Sequence, residues 1–255
     1  IMPGLVNPET GMVIYTPKYQ IRNLPLAKLL EQHFNLPCYV GNDTRSLALA
    51  EHLFGESRDC MDSILVSVHQ GTGSGIITKG QVFLGQNRNV GEIGHIQVEP
   101  LGKRCHCGNF GCLETIASNE AIVEKVKELI SRGHRSSLQE RHITIEEVCK
   151  AALQGDELAR SVLENVGEHL GRAIAITVNL FNPQKVLLVG EITAADDILL
   201  PAIRRCVEHQ SLPSFHRGLP IVKARFQNQP TVGGFALVKR ALLEGDLLQI
   251  IMEQK

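Results

Sequence analysis

Apolar positions along the chain follow two periods. Leu26, Leu29, Leu30 and Phe34 fall near helical spacing, and Pro25 before them suits a first helical turn. The residues ahead of them read as loop. LPCYVGND reads as a short strand ending at Gly41, Asn42 and Asp43, and TRSLALAEHLFG as a helix stopped by Gly55. Residues 64–69 form an apolar strand. A Gly-rich turn follows, then a hairpin of residues 75–78 and 81–84 around Lys79-Gly80. ASNEAIVEKVKELISRG is an amphipathic helix with Ser118 or Asn119 as cap and Gly133 as stop. TIEEVCKAALQG opens with Thr144 and Glu147 in capping-box spacing. Residues 157–182 read as a long helix whose apolar run predicts burial between layers. KVLLVGEI then reads as a buried strand, LLPAIRRCVEHQSL as a helix, LPIVKARF as a strand and VGGFALVKRALLEG as a helix. Strands alternating with helices argue an α/β fold.

At 255 residues the chain can build one large domain or two modest lobes. Its net charge of −1 gives no overall basic character to draw it onto nucleic acid or an anionic membrane. No apolar run approaches the ~18 residues of a membrane span. The opening, IMPGLVNPETG, carries no basic leader and reads as a chain that begins mid-protein. Without a secretory leader, a cytoplasmic location is expected, and the scattered Cys38, Cys60, Cys149 and Cys206 show no disulfide framework.

GHIQVEPLGKRCHCGNFGCLE, from Gly94 to Glu114, holds three of the seven cysteines. The spacing is His-x9-Cys-x-Cys-x4-Cys, on His95, Cys105, Cys107 and Cys112. Disulfide pairing would leave one of the three sulfurs over, and a redox pair is more often Cys-x-x-Cys. Three cysteines and one histidine form an accepted structural zinc set with no position left for water. Zinc is the preferred reading, against reactive or merely buried thiols. His106 is a rival imidazole, but it sits between two ligands and is expected to point away. A loop so clamped would bring together Glu92, His95 and Glu114, a set suited to the vicinal hydroxyls of a sugar. Alternatively, both acids are solvated loop residues.

These residues resemble a known family. NVGEIGHIQVEPLGKRCHCGNFGCLE, with NDTRSLALAE at 42–51 and VNLFNPQKVLLVGEI at 178–192, is similar to the signatures of the ROK family of repressors and sugar kinases. The flavour is that of the Mlc- and NagC-type repressors, with the Mlc-like branch favoured. The resemblance implies an actin-like, ribonuclease-H-like two-lobe α/β fold. The smaller lobe would be residues 1–42 plus 230–255, incomplete in this chain. The larger lobe would be 43–229, with the zinc loop at 94–114. It implies zinc on His95, Cys105, Cys107 and Cys112, and sugar contacts from Asn42, Asp43, Glu92, His95 and Glu114, His95 giving one ring nitrogen to each ligand.

The function implied is a sugar-responsive transcriptional repressor without catalysis. It would read operator DNA through a winged helix-turn-helix upstream of this chain and assemble as a dimer or tetramer. In the Mlc branch, control would come by sequestration on the cytoplasmic domain of the glucose permease of the phosphotransferase system. In the NagC branch the signal would be a phosphorylated amino sugar, for which Lys79, Arg88, Lys103 and Arg104 are candidate partners, unless they are ordinary solvated charges. The alternative is an ATP-dependent hexose kinase with Asp43 as general base and HQGTGSG, residues 69–75, on nucleotide phosphate. Against it, the kinases' Asp-x-Gly-Gly-Thr phosphate loop is not in the chain. Glu191 also stands where a kinase carries a second glycine, and its carboxylate would repel phosphate.

Three further features stay open. Phe110 reads as an exposed partner anchor or as a plug for the zinc loop. The terminal helix with Leu247, Leu248, Ile250, Ile251 and Met252 reads as packing or as an interface. His52, His142, His169, His209 and His216 lack partners at ligand spacing and read as surface or satisfied histidines.

Overall fold

The computed structural model describes residues 1–16, 19–139, 142–227 and 229–253. Its first 24 residues correct the sequence reading, which expects only loop there. They form an antiparallel meander of β1 (Leu5–Asn7), β2 (Met12–Thr16) and β3 (Ile21–Leu24). Asn7 makes the first turn: its Oδ1 accepts the amides of Glu9 (3.0 Å) and Thr10 (3.2 Å), the backbone mimicry that favours Asn at turns. Behind the meander lies α1 (Leu26–Phe34), closed by Asn35 in the left-handed region, φ 52°. Val6, Val13, Ala27 and Val40 form the small core between them.

The strand expected at LPCYVGND is also corrected. Residues 37–41 belong to no ladder. One parallel bridge, Met2 with Asn42, ends the segment, secured by Met2 N–H to Gly41 O at 2.9 Å. Helix α2 (Asp43–Phe54) then starts on Asn42, whose Oδ1 accepts the Arg45 amide and whose Nδ2 donates to Gly4 O.

The expected central elements follow. β4 (Ser63–Val68) is buried at every position. β5 (Thr72–Thr78) pairs with β6 (Gln81–Val82) across Lys79 and Gly80, both at positive φ as a tight hairpin turn requires. After the cysteine loop come α3 (Glu114–Ala117), α4 (Asn119–Ser131, capped by Ser118), α5 (Ile145–Leu153, with the Thr144–Glu147 capping box formed) and α6 (Glu157–Phe181). The rest are β7 (Lys185–Val189), α7 (Asp196–Gln210), α8 (Pro213–His216), β8 (Ile221–Lys223), α9 (Pro230–Glu244) and α10 (Asp246–Glu253). The five strands after the meander run in the order β6-β5-β4-β7-β8, and β7 and β8 are parallel, with Val186 opposite Ile221.

Residues 1–64, 74–91 and 228–255 form one compact unit; residues 65–73 and 92–227 form another. The first therefore takes in residues 43–64 and 74–91, which the sequence reading assigns to the larger lobe. The physical reason is that α2 lies against α9 and Arg45 Nε donates to Val90 O at 2.8 Å. In the second unit, α6 and α7 pack closely at two glycines one turn apart. A Cβ on Gly167 would come within 2.8 Å of Ala202 Cβ, and one on Gly171 within 2.6 Å of Cys206 Cβ. No helix among the described residues is long and apolar enough to cross a membrane. Of the terminal apolar residues, Leu248 and Met252 are exposed, and the side chains of Ile250 and Ile251 lie outside the described residues.

The start of α6 gives a pH-dependent prediction. Asp156 caps the helix through the Ala159 amide (3.0 Å), and its other oxygen accepts from Ser136 Oγ (2.7 Å) and from Ser137 N and Oγ. Burial opposes its charge, but these hydrogen bonds outweigh burial and hold the carboxyl below its ordinary value near 3.8. The folded value is the lower one, so the cap's contribution is complete above 3.8 and fades as pH falls through the depressed value. Asp156→Ala should therefore cost about 1–2 kcal/mol at neutral pH. In thermal unfolding, the gap from wild type should close in strong acid.

Candidate metal centre and the residues around it

The cysteine loop is a folded-back ribbon. Gln97 bridges Cys112, Arg104 bridges Phe110, and the tip is closed by Cys105 N–H to Asn109 O at 2.7 Å. Gly111 makes the return possible. It sits at φ 67°, and a Cβ there would lie 1.6 Å from Glu99 O. This fold places the His95 imidazole and the thiols of Cys105, Cys107 and Cys112 together, with all four donor atoms within 4.8 Å of one another. Cys107 Sγ is 3.7 Å from Cys112 Sγ, and Cys105 Sγ is 3.7 Å from His95 Nδ1.

A zinc ion with bonds of about 2.3 Å to sulfur and 2.0 Å to nitrogen makes tetrahedral edges of about 3.5–3.8 Å, and both 3.7 Å separations match that size. The cluster can hold a divalent metal such as zinc. Cys105, Cys107 and Cys112 form no disulfide, which removes that reading. Burial pushes the Cys112 thiol up to about 12 and raises Cys105, whereas the Asn109 amide lowers the exposed Cys107. Without a cation, Cys105 and Cys112 favour the protonated thiol; a bound ion would displace those protons.

His106 does not point away, as the sequence reading expects. Its Nδ1 lies 3.1 Å from Glu114 Oε1, and its ring meets that of His95 edge-on at 5.2 Å. Its own turn of the loop bends it back toward the start of α3. The other oxygen of Glu114 accepts the Thr72 amide at 3.0 Å, which ties the loop's end to the turn after β4. His95 and Glu114 thus belong to one cluster, with His106. Glu92 is exposed, and its carbonyl accepts the His95 amide. Asn42 and Asp43 stand in the first unit, where Asp43 Oδ1 accepts the Thr44 amide at 2.7 Å.

Phe110 is not a plug, being 53% exposed. Of the four cations considered for phosphate, Arg88 pairs with Glu9 and Lys103 with Glu124 at 3.6 Å, Lys79 follows the β5 strand into the hairpin turn, and Arg104 is exposed. Sequence reasoning did not foresee the company Glu191 keeps. Its Oε2 lies 2.6 Å from His69 Nδ1 and accepts from Asn119 Nδ2 at 2.9 Å. Burial works against this carboxylate, but the hydrogen bonds from Asn119, its own amide and His69 hold it below the ordinary range.

A model of the ROK family matches residues 1–241. The chain belongs to the ROK family. It is 56% identical over 253 residues to the DNA-binding transcriptional dual regulator NagC of Escherichia coli K12, covering 99% of this chain and 62% of that protein. It is 42% identical over 248 residues to the transcriptional repressor Mlc of the same organism, covering 97% and 61%. The expected leaning to the Mlc branch is therefore corrected: the NagC branch is favoured. The chain spans about three fifths of these relatives' length. A crystal structure of a ROK family transcriptional regulator, a homologue of E. coli Mlc, superposes with a TM-score of 0.95 at 49% identity, over 98% of this chain and 64% of that one. The fold is the α/β ROK fold.

Proposed function

We propose that this ROK chain is the effector-binding and oligomerisation part of a sugar-responsive transcriptional repressor of carbohydrate-uptake genes, acting in the cytoplasm with a structural zinc. The carrying observation is the complete cluster of one histidine and three cysteines, in a chain 56% identical, along 99% of its length, to a protein named N-acetylglucosamine repressor. Operator DNA is assigned to a part of the whole protein outside these 255 residues. The effector is assigned as N-acetylglucosamine or its phosphate, by the same likeness. Sequestration by the glucose permease goes with the Mlc branch and is not carried forward.

Asn42, Asp43, Glu92, His95 and Glu114 are proposed as the sugar contacts. In support, His95 turns Nδ1 toward Cys105, which leaves Nε2 for a hydroxyl. The Glu114 carboxylate in the same cluster suits the donors of a sugar. Zinc would hold His95 and the loop; the sugar would be bound and released unchanged.

The kinase reading has Asp43 in its favour, as a carboxylate able to take a hydroxyl proton. Glu191 weighs against it. Its carboxylate is hydrogen-bonded to His69, the first residue of the turn on which a kinase would seat phosphate, and like charges repel at short range.

Calorimetry of the whole protein with N-acetylglucosamine, its 6-phosphate, glucose and magnesium–ATP, each alone, tests the reading. One amino sugar should bind and weaken operator binding, and Asp43→Asn should keep operator binding while losing that response. Tight magnesium–ATP binding with sugar turnover would replace the repressor with a kinase.

A further inference from the structure

His169 departs from its description as a surface or satisfied histidine. It lies on α6 and is 5% exposed. Its Nδ1 is 2.9 Å from Asn165 O. A carbonyl only accepts, so Nδ1 carries a proton, and in the uncharged ring Nε2 offers a lone pair. That Nε2 is buried and has no hydrogen-bond partner. Glu99 Oε2 is 3.6 Å away, too far for a hydrogen bond, and it too is an acceptor. With the ring uncharged, two acceptors face each other and no described protein group donates to Nε2, a costly arrangement for a buried nitrogen.

Both residues line a cavity of about 460 Å³ within the second unit. Its walls combine apolar side chains, Ile116, Leu129, Val162 and Val166, with the polar Thr115 and Ser161, and the two lysines at its lining are engaged elsewhere, Lys125 Nζ 3.4 Å from Glu128 and Lys103 Nζ 3.6 Å from Glu124. That volume is far above the roughly 30 Å³ of a single water and within the range of small-molecule sites, about 300–1,000 Å³. We propose that this cleft is a small-molecule site, separate from the metal cluster and the proposed sugar contacts. Its ligand has an apolar body and a hydrogen-donating head, an alcohol or a protonated amine, seated between His169 Nε2 and Glu99. Because Glu99 also carries the carbonyl against which Gly111 packs, the ligand would touch the base of the cysteine loop.

The test uses three probes of one shape, benzyl alcohol, benzylamine and ethylbenzene, titrated by calorimetry into the whole, zinc-loaded protein. The alcohol or the amine should bind about tenfold more tightly than ethylbenzene, the worth of one good hydrogen bond to a buried acceptor. Whichever of the two binds better identifies the head. His169→Leu should bring that probe down to the level of ethylbenzene. Glu99→Gln is the second variant, at a half-exposed side chain. Its amide can donate to His169 Nε2 and close the gap, so the preferred probe should weaken while the melting temperature holds. Equal binding of all three probes, no saturable binding of any, or unchanged affinity in Glu99→Gln would each overturn the proposal.

Discussion

Cys105→Ser is expected to leave the protein without stoichiometric zinc and to lower its melting temperature by about 6–12 °C. That range corresponds to a loss of about 3 kcal/mol in a chain of this size. Cys105 is buried, and its sulfur is the one that faces His95 Nδ1. A serine hydroxyl is a poor zinc ligand at neutral pH, because it does not give up its proton as a thiol does. Once the fourth ligand is gone, Cys107 and Cys112 hold each other without holding the histidine. Elemental analysis of reduced protein and differential scanning calorimetry read the two effects. Under the proposed function, the response to sugar should disappear with them. Full zinc content in the variant, or an unchanged melting temperature with full regulation, would sever the link between loop and response.

Gly111→Ala should do comparable damage without touching any ligand. The added methyl would meet the Glu99 carbonyl oxygen at 1.6 Å, and the residue sits at φ 67°. Backbone cannot swing aside as a long side chain can. The strand from 97 to 99 must therefore separate from the return strand, breaking the Val98 and Glu99 amide bonds to Gly111 O. The expected loss is about 3 kcal/mol or more, since the clash adds to the ordinary cost of a side chain in the left-handed region. Zinc affinity should fall although all four ligands remain, and a competition titration against a chromophoric chelator measures this. Gly108→Ala is the control. It also has positive φ, but nothing lies within 4 Å of its added methyl, so its effect should be about 1 kcal/mol or less.

What the sequence disclosed was mostly local. The metal ligands lie within eighteen positions, and two glycines beside them advertise the turn. The Thr144–Glu147 box and the Lys79-Gly80 turn are likewise complete within a few residues, and the structure reproduces both. The meander of the first 24 residues stayed hidden because its strands are three to five residues long. Their burial does not alternate cleanly either: in β2, Val13 and Thr16 are buried, three positions apart. LPCYVGND has a strand's composition but joins no ladder beyond the single bridge of Asn42 to Met2. The His69–Glu191 pair joins residues 122 positions apart, and no periodicity reports such a meeting. His169 escaped notice because an unmatched lone pair is a property of surroundings, not of spacing.

The amide of Thr72 hangs on a carboxylate that the sugar reading also needs. Any hydroxyl that recruits Glu114 must compete with that amide or share its acceptor. Ligand entry would then be felt one step away, as a slackening of the chain just past β4. A sugar able to loosen a tether in this way sends its signal by subtraction, and modest affinity is the natural companion of such a signal.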